Sequence, residues 1–201
     1  LFLFDKVIAF YRTRIITTRY SGEVELLDTF NAANNLPDVL FALISGGALA
    51  MAFIPLLTEY LTTKDRAAAW DLFSRVANVA FLVTASFAVV ISIFAEPIAR
   101  LGIAPGFSEE QLDLLAELMR LNLIGTVIFS VSGLVAASLQ ANQHFIFPAL
   151  APTLYNIGQI LGAIFFVPLF GVRGLVYGVI LGAAFHLLIQ LPALFAYGFR
   201  W

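Results

Sequence analysis

Apolar residues run along most of this chain in long continuous blocks, and polar residues gather in the short intervals between the blocks. A helix needs about 20 mostly apolar residues to cross a bilayer. Five stretches pass that test, at about 39–61, 76–95, 121–139, 146–170 and 174–197. The blocks do not alternate between apolar and polar positions as the strands of a membrane β-barrel do. The pattern therefore predicts an all-α integral membrane protein.

A sixth candidate segment, residues 1–20, begins with apolar residues but also carries charged ones: Asp5, Lys6, Arg12, Arg14 and Arg19. At 100° per residue, Asp5, Arg12 and Arg19 fall within about 40° of one another on one helix face. A charge facing lipid at the bilayer centre costs about 2.5–3.5 kcal/mol. We therefore expect this face to line a polar interior. The alternatives are that the charges pair with one another, or that they extend to the membrane interface.

The stretch DTFNAANNLPDVLF, residues 28–41, opens the next segment with carboxylates and amides, and the pair Gly46-Gly47 follows inside it. This polar opening is typical of the aqueous or cavity-facing end of a long bent helix, at which the glycine pair permits a flex or a close crossing. Asp28 and Asn31 are the nearest residues that could face the charged side of the first segment. We expect six transmembrane helices in total, at about 1–20, 26–61, 70–99, 109–140, 146–170 and 174–197.

Glycines recur every four residues in the last two apolar blocks. Gly158 and Gly162 lie in the first of them, and Gly174, Gly178 and Gly182 lie in the second. Membrane helices associate through small residues that let their backbones approach closely. The spacing thus predicts two helix-packing faces, or alternatively a face along which the helices slide.

The composition agrees with a polytopic membrane protein and excludes several other classes. The 201 residues are 61% hydrophobic and 12% charged, against about 25% charged in a soluble domain. The net charge is −2, without a basic block, so no nucleic-acid partner is expected. The chain has no cysteine, and its serines have no histidine at a suggestive spacing, so we expect no metal, no cofactor and no catalytic site. It begins at Leu1 rather than Met, so we expect a fragment.

Lysine and arginine indicate how the chain crosses the membrane. With the N-terminus inside, five basic residues fall on or near the inner side, against three outside. The inner residues are Lys6, Lys64, Arg66, Arg75 and Arg200, and the outer ones are Arg19, Arg100 and Arg173. This distribution favours an N-terminus inside the cell.

Four stretches carry a more specific signal, and they occur in the same order as in one known family. They are DTFNAANNLPDVLFALISGGALAMAFIPLLTEY at 28–60, APGF at 104–107, FPALAPTLYNI at 147–157 and LLIQLPAL at 187–194. Together they resemble the MurJ (MviN) family of lipid II flippases, within the multidrug/oligosaccharidyl-lipid/polysaccharide exporter superfamily. The resemblance covers essentially the whole chain.

The resemblance implies a transporter of about fourteen spans in two pseudo-symmetric lobes. Residues 1–201 would form its N-terminal transmembrane lobe, and the C-terminal lobe is absent from this sequence. The implied function is the flipping of an undecaprenyl-diphosphate-linked peptidoglycan precursor across the bacterial cytoplasmic membrane by alternating access. The implied partners are the lipid-linked diphosphate, membrane lipids and the missing second lobe.

The resemblance also implies substrate-binding residues. The family's cavity arginines in span one fall on Lys6 and Arg12, and the aspartate that opens span two falls on Asp28. Arg14, Arg19 and Asn31 are further candidates for the cavity.

The chain departs from the family pattern twice: Lys6 replaces an arginine, and Phe41 stands where an arginine is expected. A related polysaccharide-lipid or drug exporter, and a scaffold that has lost transport, therefore stay open as alternatives.

Overall fold

The computed structural model describes residues 2–44 and 48–199, which are helical apart from short connections. The α-helices among these residues are α1 Phe2–Arg19, α2 Val24–Ile44, α3 Ala48–Thr63, α4 Arg66–Ile93, α5 Ala95–Ile98, α6 Glu109–Ala141, α7 Ile146–Leu161, α8 Val167–Phe170, α9 Arg173–Leu188 and α10 Leu191–Ala196. Two π-helical turns, Ala99–Ile103 and Gly162–Phe166, follow α5 and α7.

Within the described residues, four helical stretches are long and apolar enough to cross a membrane: Arg66–Ile93, Glu109–Ala141, Ile146–Phe170 and Arg173–Ala196. The prediction of an all-α, polytopic membrane bundle is confirmed.

The first two predicted segments differ from these four. The range predicted as one bent helix holds two helices, α2 ending at Ile44 and α3 beginning at Ala48, and the pair Gly46-Gly47 lies outside the described residues. The amides and carboxylates of α2 and the charges of α1 lower the mean hydropathy of these helices. The charged residues that suggest a cavity thus also make α1 the least apolar of the long helices.

Helix α6 forms the centre of the bundle and contacts α2, α3, α4 and α9. It begins with a capping box: the Ser108 Oγ accepts from the Gln111 N–H, and the Gln111 side chain accepts from the Ser108 N–H. Its stripe Leu112, Leu115 and Leu118 is buried. The rest of the bundle is arranged around this helix.

Helices α7 and α9 meet backbone to backbone at the five glycines of the two stripes. Gly158 lies against Gly182, and Gly162 lies against Gly178, while Gly174 packs on the end of the π-helical turn that follows α7. A Cβ atom added at Gly178 would stand 2.8 Å from the Cα of Gly162, closer than real Cβ atoms approach. Larger residues at these positions would push the two helices apart.

The connections between the long helices lie at two opposite ends of the bundle. At one end, Arg66 at the start of α4 donates to the carbonyl of Tyr197 at 2.8 Å, and the Tyr197 hydroxyl lies 3.5 Å from the ring of His144. At the other end, Arg100 pairs with Glu109 across the connection between α5 and α6. The first end therefore holds the α3–α4 and α6–α7 connections, and the second holds the α5–α6 connection.

We expect cysteine labelling to show both the α3–α4 and α6–α7 connections on the cytoplasmic side. In a cysteine-free full-length background, Thr63→Cys and Gln143→Cys should resist a membrane-impermeant thiol reagent in intact cells. Pro105→Cys, in the α5–α6 connection, is the matched control and should react. Labelling at position 63 or 143 in intact cells would reverse the orientation.

A polar cleft between α1, α2 and α7 as candidate functional site

Helices α1, α2 and α7 enclose a polar cleft of about 360 Å³. On α2, residues three and four positions apart share one helix face, so its polar residues point into the cleft together. The polar residues that line the cleft are Arg12, Thr13 and Thr17 from α1, Asn31, Asn34 and Asp38 from α2, and Tyr155 and Gln159 from α7. The polar opening of the second segment thus faces the charged first helix.

The cleft continues into the bundle as an inner chamber of about 320 Å³ between α2, α6, α7 and α9. Asn34, Asp38 and Tyr155 line both spaces. The inner chamber adds Asn122 and Thr126 from α6 and His186 from α9. A ligand in the cleft would therefore have a polar path toward the central helix.

Arg12 is fixed in the cleft by a hydrogen-bonded network that joins α1 to α7. Its Nη1 donates to the Oδ1 of Asn156 at 2.9 Å, and the Nδ2 of Asn156 donates to the Oδ1 of Asp5 at 3.0 Å. The hydroxyl of Thr153 donates to the same carboxylate oxygen at 3.5 Å. Because the amide has an arginine donor on one side and a carboxylate acceptor on the other, its orientation is determined.

The guanidinium of Arg12 has hydrogen-bond donors that its neighbours in the cleft do not fully use. It forms no ion pair with a carboxylate within the described ranges, and its Nε is buried without a hydrogen-bond partner there. Its Nη2 makes only a 3.5 Å contact with the hydroxyl of Thr13. A planar fork with unused donors is the arrangement that binds phosphate oxygens in pairs.

The other residues that the resemblance implies lie around the cleft rather than together in it. Asn31 lines the cleft with Arg12. Lys6 is largely exposed, with its Nζ 3.9 Å from the Oδ2 of Asp5, and it does not line the cleft. Asp28 is exposed near the start of α2 and does not line the cleft. The side chain of Phe41, at the expected arginine position, lies outside what the structure describes.

Arg14 and Arg19 line a different space, a largely apolar groove of about 690 Å³ between α1 and the π-helical turn after α7. The expectation that Arg19 shares a polar interior with Asp5 and Arg12 does not match this placement. At the end of α1 the buried positions are Ile16 and Tyr20, and Arg19 is exposed beside them.

Asn156, Asp38 and Asn122 are cleft and chamber residues that the sequence does not single out. Asn156 lies within the stretch FPALAPTLYNI, and Asp38 belongs to the polar opening of α2. Both residues thus lie in stretches that the sequence analysis describes, but no sequence pattern gives either of them a role in the cleft. Asn122 lies inside an otherwise apolar block, and its hydrogen-bond partner Asn34 is 88 positions away.

His186 forms an interhelical hydrogen bond beside the inner chamber. Its Nδ1 lies 2.7 Å from the hydroxyl of Ser132 on α6. The side chain of Gln190 donates to the same hydroxyl at 3.1 Å. These bonds link α6 to the end of α9.

Comparison with known proteins shows which family this chain resembles. The family model described as "Lipid II flippase MurJ" matches residues 18–201. The "Probable lipid II flippase MurJ" of Buchnera aphidicola subsp. Schizaphis graminum is 28% identical over 197 residues, which cover 96% of this chain and 38% of that protein. The "Lipid II flippase MurJ" of Burkholderia cenocepacia is 29% identical over 196 residues, again with 96% and 38% coverage.

A solved structure titled "Lipid II flippase MurJ, inward closed conformation" shares the fold. It superposes with a TM-score of 0.77 at 24% sequence identity, over 96% of this chain and 40% of that one. This chain therefore spans about two fifths of the length of the proteins that it matches. The resemblance inferred from the four sequence stretches is confirmed: the chain belongs to the MurJ family of lipid II flippases.

Proposed function

We propose that the full-length protein containing this chain flips lipid II, an undecaprenyl-diphosphate-linked peptidoglycan precursor, across the bacterial cytoplasmic membrane by alternating access. The family and the printed names of its relatives support this substrate. The observation in the structure that carries the proposal is Arg12, a half-buried cation in a polar cleft without a carboxylate partner among the described residues.

A diphosphate that enters a space of low dielectric loses water, and cationic donors must replace that water. Arg12 offers its Nη2 for this purpose while Asn156 holds its Nη1. Charge-assisted hydrogen bonds of this kind are roughly twice as strong as neutral ones. In this proposal Arg12 receives the diphosphate, and Asn156 and Asp5 position Arg12.

The cleft opens to the surface of this chain, and the relatives are more than twice as long as this chain. We infer that a second lobe supplies the facing wall. Alternating access then requires the two walls to separate first toward one face of the membrane and then toward the other.

One observation favours a related exporter of a different lipid-linked or drug substrate as the second candidate. Asp38 adds a negative charge to the cleft that already holds Arg12. A less cationic cleft suits a less anionic substrate. A scaffold without transport activity is the third candidate from the sequence, and the experiment below tests all three.

The test is complementation of a bacterium depleted of its own lipid II flippase by the full-length gene, together with a measurement of lipid II exposed on the outer face of the membrane. We expect growth to return and exposed lipid II to recover. Membrane insertion without either recovery would contradict the flippase proposal. Recovery of export for another lipid-linked sugar alone would favour the second candidate.

A further inference from the structure

His186 on α9 lines the inner chamber, and its hydrogen bonds determine which ring nitrogen carries the proton. The Nε2 of Gln190 donates to the carbonyl of His186 at 2.7 Å and to the hydroxyl oxygen of Ser132 at 3.1 Å. The hydroxyl of Ser132 then donates its own proton to the Nδ1 of His186, 2.7 Å away, the acceptor that the described residues offer it. Because Nδ1 accepts, the neutral ring carries its proton on Nε2.

The Nε2–H of His186 has no hydrogen-bond partner among the described residues, and the packing around it does not seal it. The ring packs edge to face against Phe129, with the two ring centroids 5.1 Å apart. This contact and the bonds at Nδ1 hold the ring in one orientation. A ligand in the inner chamber would therefore meet a fixed, uncharged hydrogen-bond donor.

The inner chamber also has apolar walls and a small volume. Phe129, Pro152 and Val179 line it together with His186. Its volume of about 320 Å³ lies at the lower end of the range of ligand pockets, about 300–1,000 Å³, so it suits a small group rather than a whole glycan. A group with one hydrogen-bond acceptor and one apolar end matches these walls.

The position of the chamber relative to Arg12 indicates which group this is. The chamber continues the cleft that holds Arg12, and Asn34 and Tyr155 line both spaces. A lipid-linked glycan carries its first sugar directly on the diphosphate, so a diphosphate at Arg12 brings that sugar to the chamber. The acetamido group of an amino sugar has a carbonyl acceptor and an apolar methyl group. A hydroxyl group in the same position is shorter and has no apolar end.

We propose that the inner chamber binds the acetamido group of the sugar attached to the diphosphate, and that the Nε2–H of His186 donates to its carbonyl oxygen. Ser132 and Gln190 are positioning residues, because they fix the ring and the location of its proton. The inference rests on the proposed function and adds to it a preference for N-acetylated sugars.

The test compares two synthetic lipids for binding to the purified full-length protein in detergent. One is undecaprenyl diphosphate linked to N-acetylglucosamine, and the other is undecaprenyl diphosphate linked to glucose. They differ by an acetamido group in place of a hydroxyl. We expect the wild type to bind the N-acetylglucosamine lipid about fivefold more tightly, the effect of one net hydrogen bond.

His186→Leu should bind both lipids equally, because it removes the donor and keeps an apolar side chain. His186→Gln should retain part of the preference, since its amide also offers an N–H group. Ser132→Ala should reduce the preference, because it releases the ring; a merely structural role would lower stability without changing the ratio of the two affinities. His144→Leu is the matched control: His144 lies at the α6–α7 connection, outside the chamber, and should keep the full preference.

The ratio of the two affinities does not depend on the fraction of protein that is folded, so a destabilised variant still gives an answer. The same preference in wild type and His186→Leu would overturn the assignment of the chamber. So would a wild type that binds both lipids without preferring N-acetylglucosamine. A wild type that binds neither lipid would contradict the proposed function, and this assignment with it.

Discussion

Arg12→Ala is expected to abolish complementation by the full-length gene while leaving the protein inserted and folded. The substitution removes the cation that the cleft offers to a diphosphate, and no neighbouring described arginine lines the cleft to replace it. The folding cost is limited to one hydrogen bond with Asn156 at a half-buried position, about 1.5–3 kcal/mol for a charged donor. The measurement is growth under flippase depletion, with protein level and melting temperature determined in parallel.

Two further variants separate charge from geometry. Arg12→Lys keeps the charge but loses the planar fork, so we expect partial complementation. Asn156→Ala keeps the charge and removes the residue that positions it, so transport should fall less than in Arg12→Ala. Arg75→Ala is the control: Arg75 is exposed and pairs only with Asp71 on the surface of α4, and such pairs contribute about 0–1 kcal/mol.

Full complementation by a well-folded Arg12→Ala protein would show that the cleft does not receive an anion through this residue. Loss of the protein together with its activity would instead assign Arg12 to the structural link between α1 and α7.

Gly178→Leu is expected to lower the melting temperature of the full-length protein by about 5 °C. The first added atom already meets the Cα of Gly162 at 2.8 Å, and the backbone of α7 cannot move aside as a flexible side chain could. Overpacking of this kind costs about 3 kcal/mol or more, which corresponds to a shift of that size. Gly178→Ala should produce a smaller shift in the same direction.

Gly22→Leu is the matched control for glycine replacement. Gly22 lies in the connection between α1 and α2, and a Cβ atom there meets nothing within 4 Å. We expect its melting temperature to stay close to that of the wild type. If Gly178→Leu also melted at the wild-type temperature, the close contact between α7 and α9 would be disproved.

Features with a local or periodic cause could be predicted from the sequence. The apolar blocks locate α4, α6, α7 and α9 because spanning length depends only on consecutive residues. The capping box at Ser108 involves residues three positions apart, and the four-residue repeat of Gly174, Gly178 and Gly182 defines one helix face. The presence of a charged helix beside a polar one could also be anticipated.

The polar pairs of the candidate site could not be predicted, because their partners are remote in sequence. Asn156 lies 144 positions from Arg12, and Asn122 lies 88 positions from Asn34. Either asparagine could equally have faced solvent or a bound lipid, and only the packing of α6 and α7 against α1 and α2 decides which partner it meets. Arg19 shows another limit: it shares a helix face with Arg12 by periodicity, but the packing of the turn after α7 against α1 places it in another groove.

The glycine contact between α7 and α9 also has a mechanical consequence. Because the two backbones are in direct contact, no layer of side chains lies between α7 and α9 that could be compressed. We therefore expect these two helices to move together as one rigid unit, here called the plate. Tyr155, Gln159 and Val179, which this plate contributes to the cleft, therefore keep fixed mutual distances during any transport cycle. Within this chain, the width of the cleft then changes through movement of α1 and α2 relative to the plate. Such a movement strains or breaks the hydrogen bond between Arg12 on α1 and Asn156 on α7. This hydrogen bond therefore resists the opening of the cleft.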